Sequence, residues 1–348
     1  MKTIFTSLAF LVLCTTLRSQ VTLSGALSGD YADLTLAFAA IQSGGGSGTV
    51  LASITADITT TQTALLQLTN YRVIVRPVGQ RSLTITAANN PLIRLNGARQ
   101  VLIDGVGLSG DATLTLISTA TNSTAPVVLL ENDAMQNRVS NCNIRGGTIT
   151  SSLQFEGVVA LHNTSGNTGC DQDTISGNII REASSTALPF IGISMEGRTG
   201  TIMNNDCVIA DNHIVNTFNP TGFSEAIFSY HHNQGTQFIG NHIYQTAPRL
   251  SNNATSVPNM RGIEIADGAS SVLSGSFVVR GNWIGGTAPF CGGDPLTLSN
   301  AAGPVLFFGI FISGGTTVSQ IDDNHIANLD LSFRDPVIAN WYCFECPL

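Results

Sequence analysis

The chain has 348 residues, of which 11% are charged, 43% hydrophobic and 35 are Gly, with a formal net charge of −8. That composition suits short buried strands closed by Gly, Asn and Thr turns and argues against a helical protein. The only Lys is Lys2. A chain this acidic, with no clustered cations, is excluded as a nucleic-acid or anionic-membrane binder, because counterion release needs such clusters.

Residues 1–19 open with Lys2, run apolar from Ile4 to Leu13 and leave through TTLRSQ. This predicts a secretory signal peptide removed before Gln20, too short and wrongly flanked for a membrane span. Its removal leaves no Lys, 13 Arg and 23 acidic residues, a formal −10. No later segment approaches a spanning length, so membrane insertion is not expected. Residues 20–90 read as an N-terminal cap and the first coils of a repeat. In DYADLTLAFAAI the residues Leu34, Ala37, Phe38 and Ile41 share one helical face, which predicts a short amphipathic helix with Asp30 as its N-cap. Laid over the end of a stack of strands, such a helix hides unpaired edges. After QSGGGSG, the pieces VLASITADI, YRVIVRPV and SLTIT read as short strands.

Residues 91–328 carry two interleaved phrases. The first is VSNCNI, ISGNII, IADNHI, FIGNHI, VRGNWI and IDDNHI, closing at Ile144, Ile180, Ile214, Ile243, Ile284 and Ile326, with IDGVGL at Ile103 as a weaker copy. Five residues before each closing Ile stands an apolar residue: Val139, Ile175, Ile209, Phe238, Val279 and Ile321. The Gly, Asp or Asn between them tolerates the positive φ of a sharp bend. The second phrase alternates apolar and polar: IRLNG from Ile93, VLLEN from Val128, VALHN from Val159, ISMEG from Ile193, FSYHH from Phe228, IEIAD from Ile263 and IFISG from Ile310. Its starts are 35, 31, 34, 35, 35 and 47 residues apart, the last interval holding a loop insertion around Cys291 to Gly303. Such a period means a solenoid of coils with two or three short strands each, none stable alone. Residues 329–348, ending WYCFECPL, read as a C-terminal tail stopping in mid-pattern, as though further domains of a longer chain followed.

These phrases, the helix and the Asn-bearing bends resemble the right-handed parallel β-helix of the pectin-lyase-like superfamily, from about Asp30 onward. The fold class expected is therefore all-β, a right-handed parallel β-helix solenoid with a short N-terminal capping helix. The opening also resembles large bacterial surface proteins of the type IX secretion route, which implies a secreted or cell-surface location. Hydrolases of the superfamily carry Asn-Thr-Asp, paired Asp and Gly-His-Gly motifs, which are missing here. Its lyases abstract a proton with Lys or Arg beside acidic calcium ligands, and here Arg198 near Glu196 is the nearest approach.

Strand alternation sends the second and fourth residues of the second phrase outward. Its fourth positions put Glu131, His162, Glu196 and His231 in one external column with a coil spacing of about 4.8 Å. Alternating carboxylates and imidazoles can hold a divalent cation such as calcium, or supply an acid and a base to a bound sugar chain. The residue before the closing Ile of the first phrase gives a second outward column with His213, His242, Trp283 and His325, a ladder suited to stacking on sugar rings or to a transition metal at His213 and His242. The Asn column beside it, Asn178, Asn212, Asn241, Asn282 and Asn324, reads as an amide ladder stabilising the bend. After processing, Cys142, Cys170, Cys207, Cys291, Cys343 and Cys346 remain, an even number that favours disulfides in an exported chain.

Two functions are compatible with these residues. The first is a non-catalytic exported β-helix surface module, stalk or adhesin-like, contacting a polysaccharide or cell-surface glycan. The alternative is a polysaccharide lyase or glycoside hydrolase acting through the Glu/His column.

Overall fold

In a computed structural model the described residues are 19–333 and 341–345, without 107–112, 120–124, 148–156, 254–256, 267–273 and 315–316. The signal peptide expected over 1–19 thus lies almost wholly outside them, as do the side chains of Cys343 and Cys346. The chain winds as a right-handed parallel β-helix. Strands of successive coils stack into three long sheets, one of eleven strands and two of nine. We call them the first, second and third faces, in the order in which each coil visits them. Coil one runs through Gly48–Ile54, Ile58–Thr60 and Ala64–Gln67, and the last described coil through Gln320–Asp322, His325–Ile326 and Trp341–Glu345. Strand pairing continues beyond Asn328, since Leu329–Phe333 pairs with Leu296–Asn300 and Trp341–Glu345 with Leu306–Ser313.

The repeated apolar residues stand directly over one another. Val139, Ile175, Ile209, Phe238 and Val279 are consecutive partners on the first face. Ile144, Ile180, Ile214, Ile243 and Ile284 are consecutive partners on the second. All ten are buried. Each adds roughly 1.5–3 kcal/mol of burial before entropy, so the core is one continuous column in which a coil depends on both neighbours.

Between the first and second faces the chain turns on a left-handed residue followed, from Asn178 to Asn324, by an Asn that is buried as far as Asn282. The left-handed residues are Asn141, Gly177, Asp211, Gly240, Gly281 and Asp323, with φ between 54° and 66°. The Asn after each bend forms the expected amide ladder. Asn212 Oδ1 accepts from both the backbone N–H (3.1 Å) and the side-chain amide (3.0 Å) of Asn178, while its own Nδ2 donates to Ile175 O at 2.8 Å. Asn241 and Asn282 repeat the pattern toward Asn324. Cys142 occupies this ladder position in its own coil, and its N–H donates to Asn178 Oδ1 at 2.9 Å.

The N-terminal end is closed twice. Val21–Gly25 adds an antiparallel strand to Gly48–Ile54, and Gly29–Tyr31 pairs with it in turn. The helix spans Leu34–Ser43 and buries Leu34, Ala37, Phe38 and Ile41, the face expected from the spacing. Its N-cap is Asp33, whose Oδ1 accepts from Leu36 N at 2.9 Å. Asp30, the residue expected there, lies in the added hairpin and accepts from Thr22 Oγ1 at 2.7 Å. Gln42 turns toward the third-face strand of coil one, donating to Leu65 O (3.1 Å) and accepting from Gln67 N (3.3 Å). It thereby satisfies backbone groups that the first coil would otherwise leave open.

The disulfides expected from an even cysteine count do not form among Cys142, Cys170, Cys207 and Cys291, which are free thiols. The first three are buried and serve as small apolar residues. Cys142 Sγ donates to Ser140 O at 3.2 Å and Cys207 Sγ to Cys170 O at 3.1 Å. Burial pushes all three thiols well up, so they hold no thiolate.

Candidate functional site

On the third face, Glu131 is opposite His162, and His162 opposite Glu196, as the fourth-position column requires. His231 is not part of it. Ile193 pairs with Ile227 and Ser194 with Phe228, so the phrase begins at Ile227 and the strand's next outward position after Phe228 is Tyr230. The slip of one residue arises at Ser229, which points inward and whose hydroxyl oxygen accepts from Asn233 Nδ2 at 3.1 Å. A polar residue in the core with aromatic neighbours on both sides inverts the apparent alternation.

Nor is the column an external, solvated ladder. Glu131 is 5% exposed and His162 is 2% exposed. Arg94 Nε donates to Glu131 Oε1 at 2.5 Å. His162 Nε2 is 3.8 Å from Glu196 Oε2. Glu196 is half-buried, and loss of solvation pushes its carboxyl up to about 7. Further along this face Arg261 forms a buried ion pair with Glu264, with its guanidinium 4.6 Å from the Phe311 ring centre and 4.7 Å from that of Phe223. Glu225 is opposite Arg261 in register and also buried. Glu264 is the second residue of the IEIAD phrase, an outward position by alternation, though it was not singled out; Glu225 and Arg261 precede the phrases and left no such signal. Arg198, the lyase-like candidate, donates to Gly166 O at 2.9 Å instead of to a carboxylate. Among the described residues no group of three or more His, Cys, Asp or Glu converges on a metal-sized site.

The second-face ladder stands in register as expected: His213 opposite His242, His242 opposite Trp283, Trp283 opposite His325. Trp283 and His325 stack at 3.8 Å with 11° between planes, and His213 and His242 lie 4.9 Å apart. The sequence reading missed what covers them. Phe290, from the insertion that follows Trp283, places its ring 4.4 Å from His242 and 5.4 Å from Trp283, edge-on to both. Its N–H donates to His242 Nδ1 at 3.2 Å. That acceptor role requires neutral His242, and burial, reinforced by His213, lowers its pKa. Phe290 is 64% exposed and has φ 60°, a conformation unfavourable for a bulky side chain. Only its position just ahead of Cys291, where the expected insertion begins, hinted at it.

No protein-family model matches the chain, and no curated protein matches it. Two solved structures of PfbA, a surface adhesin of Streptococcus pneumoniae, are similar to it. One has 9% identity over 81% of this chain and 90% of that chain, with a TM-score of 0.42. The other has 11% identity over 88% and 92%, also at 0.42. Identities and scores this low carry nothing from that protein to this chain. No helix among the described residues is long and apolar enough to cross a membrane.

Proposed function

We propose that this chain is a non-catalytic exported β-helix module of the bacterial surface, stalk or adhesin-like, that holds a polysaccharide or cell-surface glycan on its second face. The observation that carries this reading is Phe290. An exposed aromatic ring in a left-handed backbone conformation costs stability, and His242 and Trp283 hold it in place from below. Together with Trp283 and His325 it offers a row of rings whose apolar surfaces suit the C–H faces of pyranoses. The test is affinity electrophoresis of the processed protein through gels containing neutral and acidic polysaccharides, beside Phe290→Ala and Trp283→Ala. Retardation that both variants lose supports the reading; retardation that both retain removes the second face from it.

One observation favours the alternative. Glu196 holds its proton near neutral pH beside an imidazole, which is the condition of a general acid. Release of new reducing ends or unsaturated products, abolished by Glu196→Gln, would establish a hydrolase or lyase and overturn the non-catalytic module.

A further inference from the structure

The insertion that carries Phe290 contains an Asp-Pro bond, between Asp294 and Pro295. Both residues are exposed, as is Gly293 before them. We propose that the fold promotes scission of this bond by the aspartate's own side chain, a self-cleavage that leaves Asp294 as a new C-terminus and Pro295 as a new N-terminus. The proposal does not use the glycan-binding reading.

The reaction needs only this residue and water. A carboxyl oxygen of Asp294 attacks the main-chain carbonyl carbon of the same residue, and the carbonyl oxygen takes up negative charge as the ring closes. Collapse then breaks the C–N bond to Pro295, whose nitrogen receives the proton that the carboxyl gives up. A secondary amine leaves, and a cyclic anhydride remains on Asp294. Water opens the anhydride to a pair of carboxyl groups, so no oxidant, reductant or further reactant is required. Proline suits the leaving side because its nitrogen carries no N–H to hold in a sheet, and the exposure of the segment lets water in.

The scissile carbonyl is the first support. Asp294 O accepts from Asn328 Nδ2 at 3.2 Å, a donor placed where the oxyanion forms. The same nitrogen donates to Cys291 O (3.0 Å) and Gly293 O (3.1 Å). The oxygen that gains charge draws the strongest of these shared bonds. Asn328 O meanwhile accepts from Gly286 N (3.0 Å) and Leu296 N (2.8 Å), so one residue clamps the chain on both sides of the bond. The nucleophile is the second support. Asp294 N donates to Thr287 Oγ1 at 2.8 Å, while its carboxylate makes no hydrogen bond or ion pair among the described residues. A fixed main chain with a free side chain supplies in advance much of the orientation that ring closure needs.

Strain is the third. Phe290, Cys291 and Gly293 have φ of 60°, 54° and 72°, and in the first two this conformation costs stability. The turn is held shut by Thr287 N and Ala288 N, which donate to Gly292 O at 2.9 and 3.0 Å. Gly293 admits no side chain, since a Cβ there would stand 2.4 Å from Thr287 Oγ1. Scission unties the C-terminal end of this wound segment and relieves it. The product stays assembled, because Leu296 is buried and Leu296–Asn300 remains paired with Leu329–Phe333. It is a nicked solenoid, its pieces held by their sheets.

The experiment is incubation of the processed protein in mild acid, folded or unfolded in guanidinium, with the products read by intact mass. Variants are Asp294→Ala and Asn328→Ala. The chain's other Asp-Pro bond, between Asp335 and Pro336, lies outside the described residues and is removed in Asp335→Ala as a control. The folded parent should be cut after Asp294 at least about tenfold faster than the unfolded chain, as expected for one donor on a developing oxyanion. Asn328→Ala should bring the rate down to that of the unfolded chain, Asp294→Ala should abolish cleavage there, and Asp335→Ala should leave it unchanged. Hydroxylamine present during the reaction should be found as a hydroxamate on Asp294, a product that direct hydrolysis does not give. Circular dichroism should show the variants folded; if Asn328→Ala is not, the folded and unfolded parent and the hydroxamate decide. A folded parent cut no faster than the unfolded chain, or cut only after Asp335, would overturn the proposal. So would cleavage after residue 294 that persists in Asp294→Ala, or products without hydroxamate. Folded Asn328→Ala cut as fast as the parent would overturn the part given to its amide.

Discussion

Between the first and second faces every coil from Asn178 to Asn324 turns on one left-handed residue and one Asn. Over the same coils the connections between the second and third faces run from the seven residues 216–222 to the twenty-one residues 285–305. The same coil makes both corners. At the first, each Asn bonds to the Asn of the next coil, so a change in one coil leaves its neighbour's buried N–H without a partner, and the residue repeats. At the second, the loops pair with one another only over short pieces, Arg249–Ser251 with residues 298–300 and Leu296–Asn300 with Leu329–Phe333, so they vary, and Phe290 sits on the longest of them. Uniform corners hold the solenoid up, and variable ones carry what it presents.

The sharpest way to break this contrast is Asn212→Ala. It leaves Asn178 N–H and Ile175 O without their partners in the core, and should cost about 3 kcal/mol. Chemical denaturation would read that loss, while Gly303→Ala in the variable loop should change stability by less than about 0.5 kcal/mol. Equal effects would erase the distinction.

Asp173, at the corner between the third and first faces, should show the opposite sign. It is fully buried, accepts from Asn137 N at 2.7 Å, and desolvation pushes its carboxyl up to about 8 from an ordinary 3.8. The folded state therefore holds a proton that the unfolded chain releases, so stability is fully present below the ordinary carboxylate range and is lost as pH rises toward 8. Asp173→Asn should remove that loss and raise stability by about 2 kcal/mol at pH 8. Melting temperatures across pH 5 to 9 should fall for the parent and fall less for the variant, in which Glu196 still loses its proton near 7.

On the variable corner, Phe290→Ala should weaken glycan binding by about tenfold, as for a well-held aromatic anchor, with little change in melting temperature. The smallest effect belongs to His242. Its pKa is lowered in the fold, so its contribution to stability is present above the ordinary imidazole range and is lost as pH falls through the lowered value. Protonation takes the Nδ1 lone pair from Phe290 N–H. Glycan affinity should drop about threefold between pH 7 and pH 5, and His242→Gln should flatten that profile.

How much of this was legible follows from how each signal repeats. The Asn ladder, the apolar columns and the second-face ladder were readable because neighbouring coils impose the same residue at the same register. The helix face was readable from its spacing, but its cap was not, since Asp30 and Asp33 both precede it and only the hairpin decides which is free to cap. The Glu/His column was read correctly as far as Glu196 and failed at His231, where Ser229 in the core reverses the pattern. Its burial could not be read at all, because alternation says which side of a strand a residue takes and nothing of what lies over it.

The sequence by itself determined the solenoid, its period, its bends and the residues that stack in columns, since these depend on contacts between equivalent positions one coil apart. Only the tertiary structure decided which columns are open. It put Glu131 and His162 out of solvent, left three buried thiols unpaired and brought Phe290 onto the His242 and Trp283 rings. Those outcomes depend on where loops of unequal length return to the stack and on what they lay over it, and no periodicity records either.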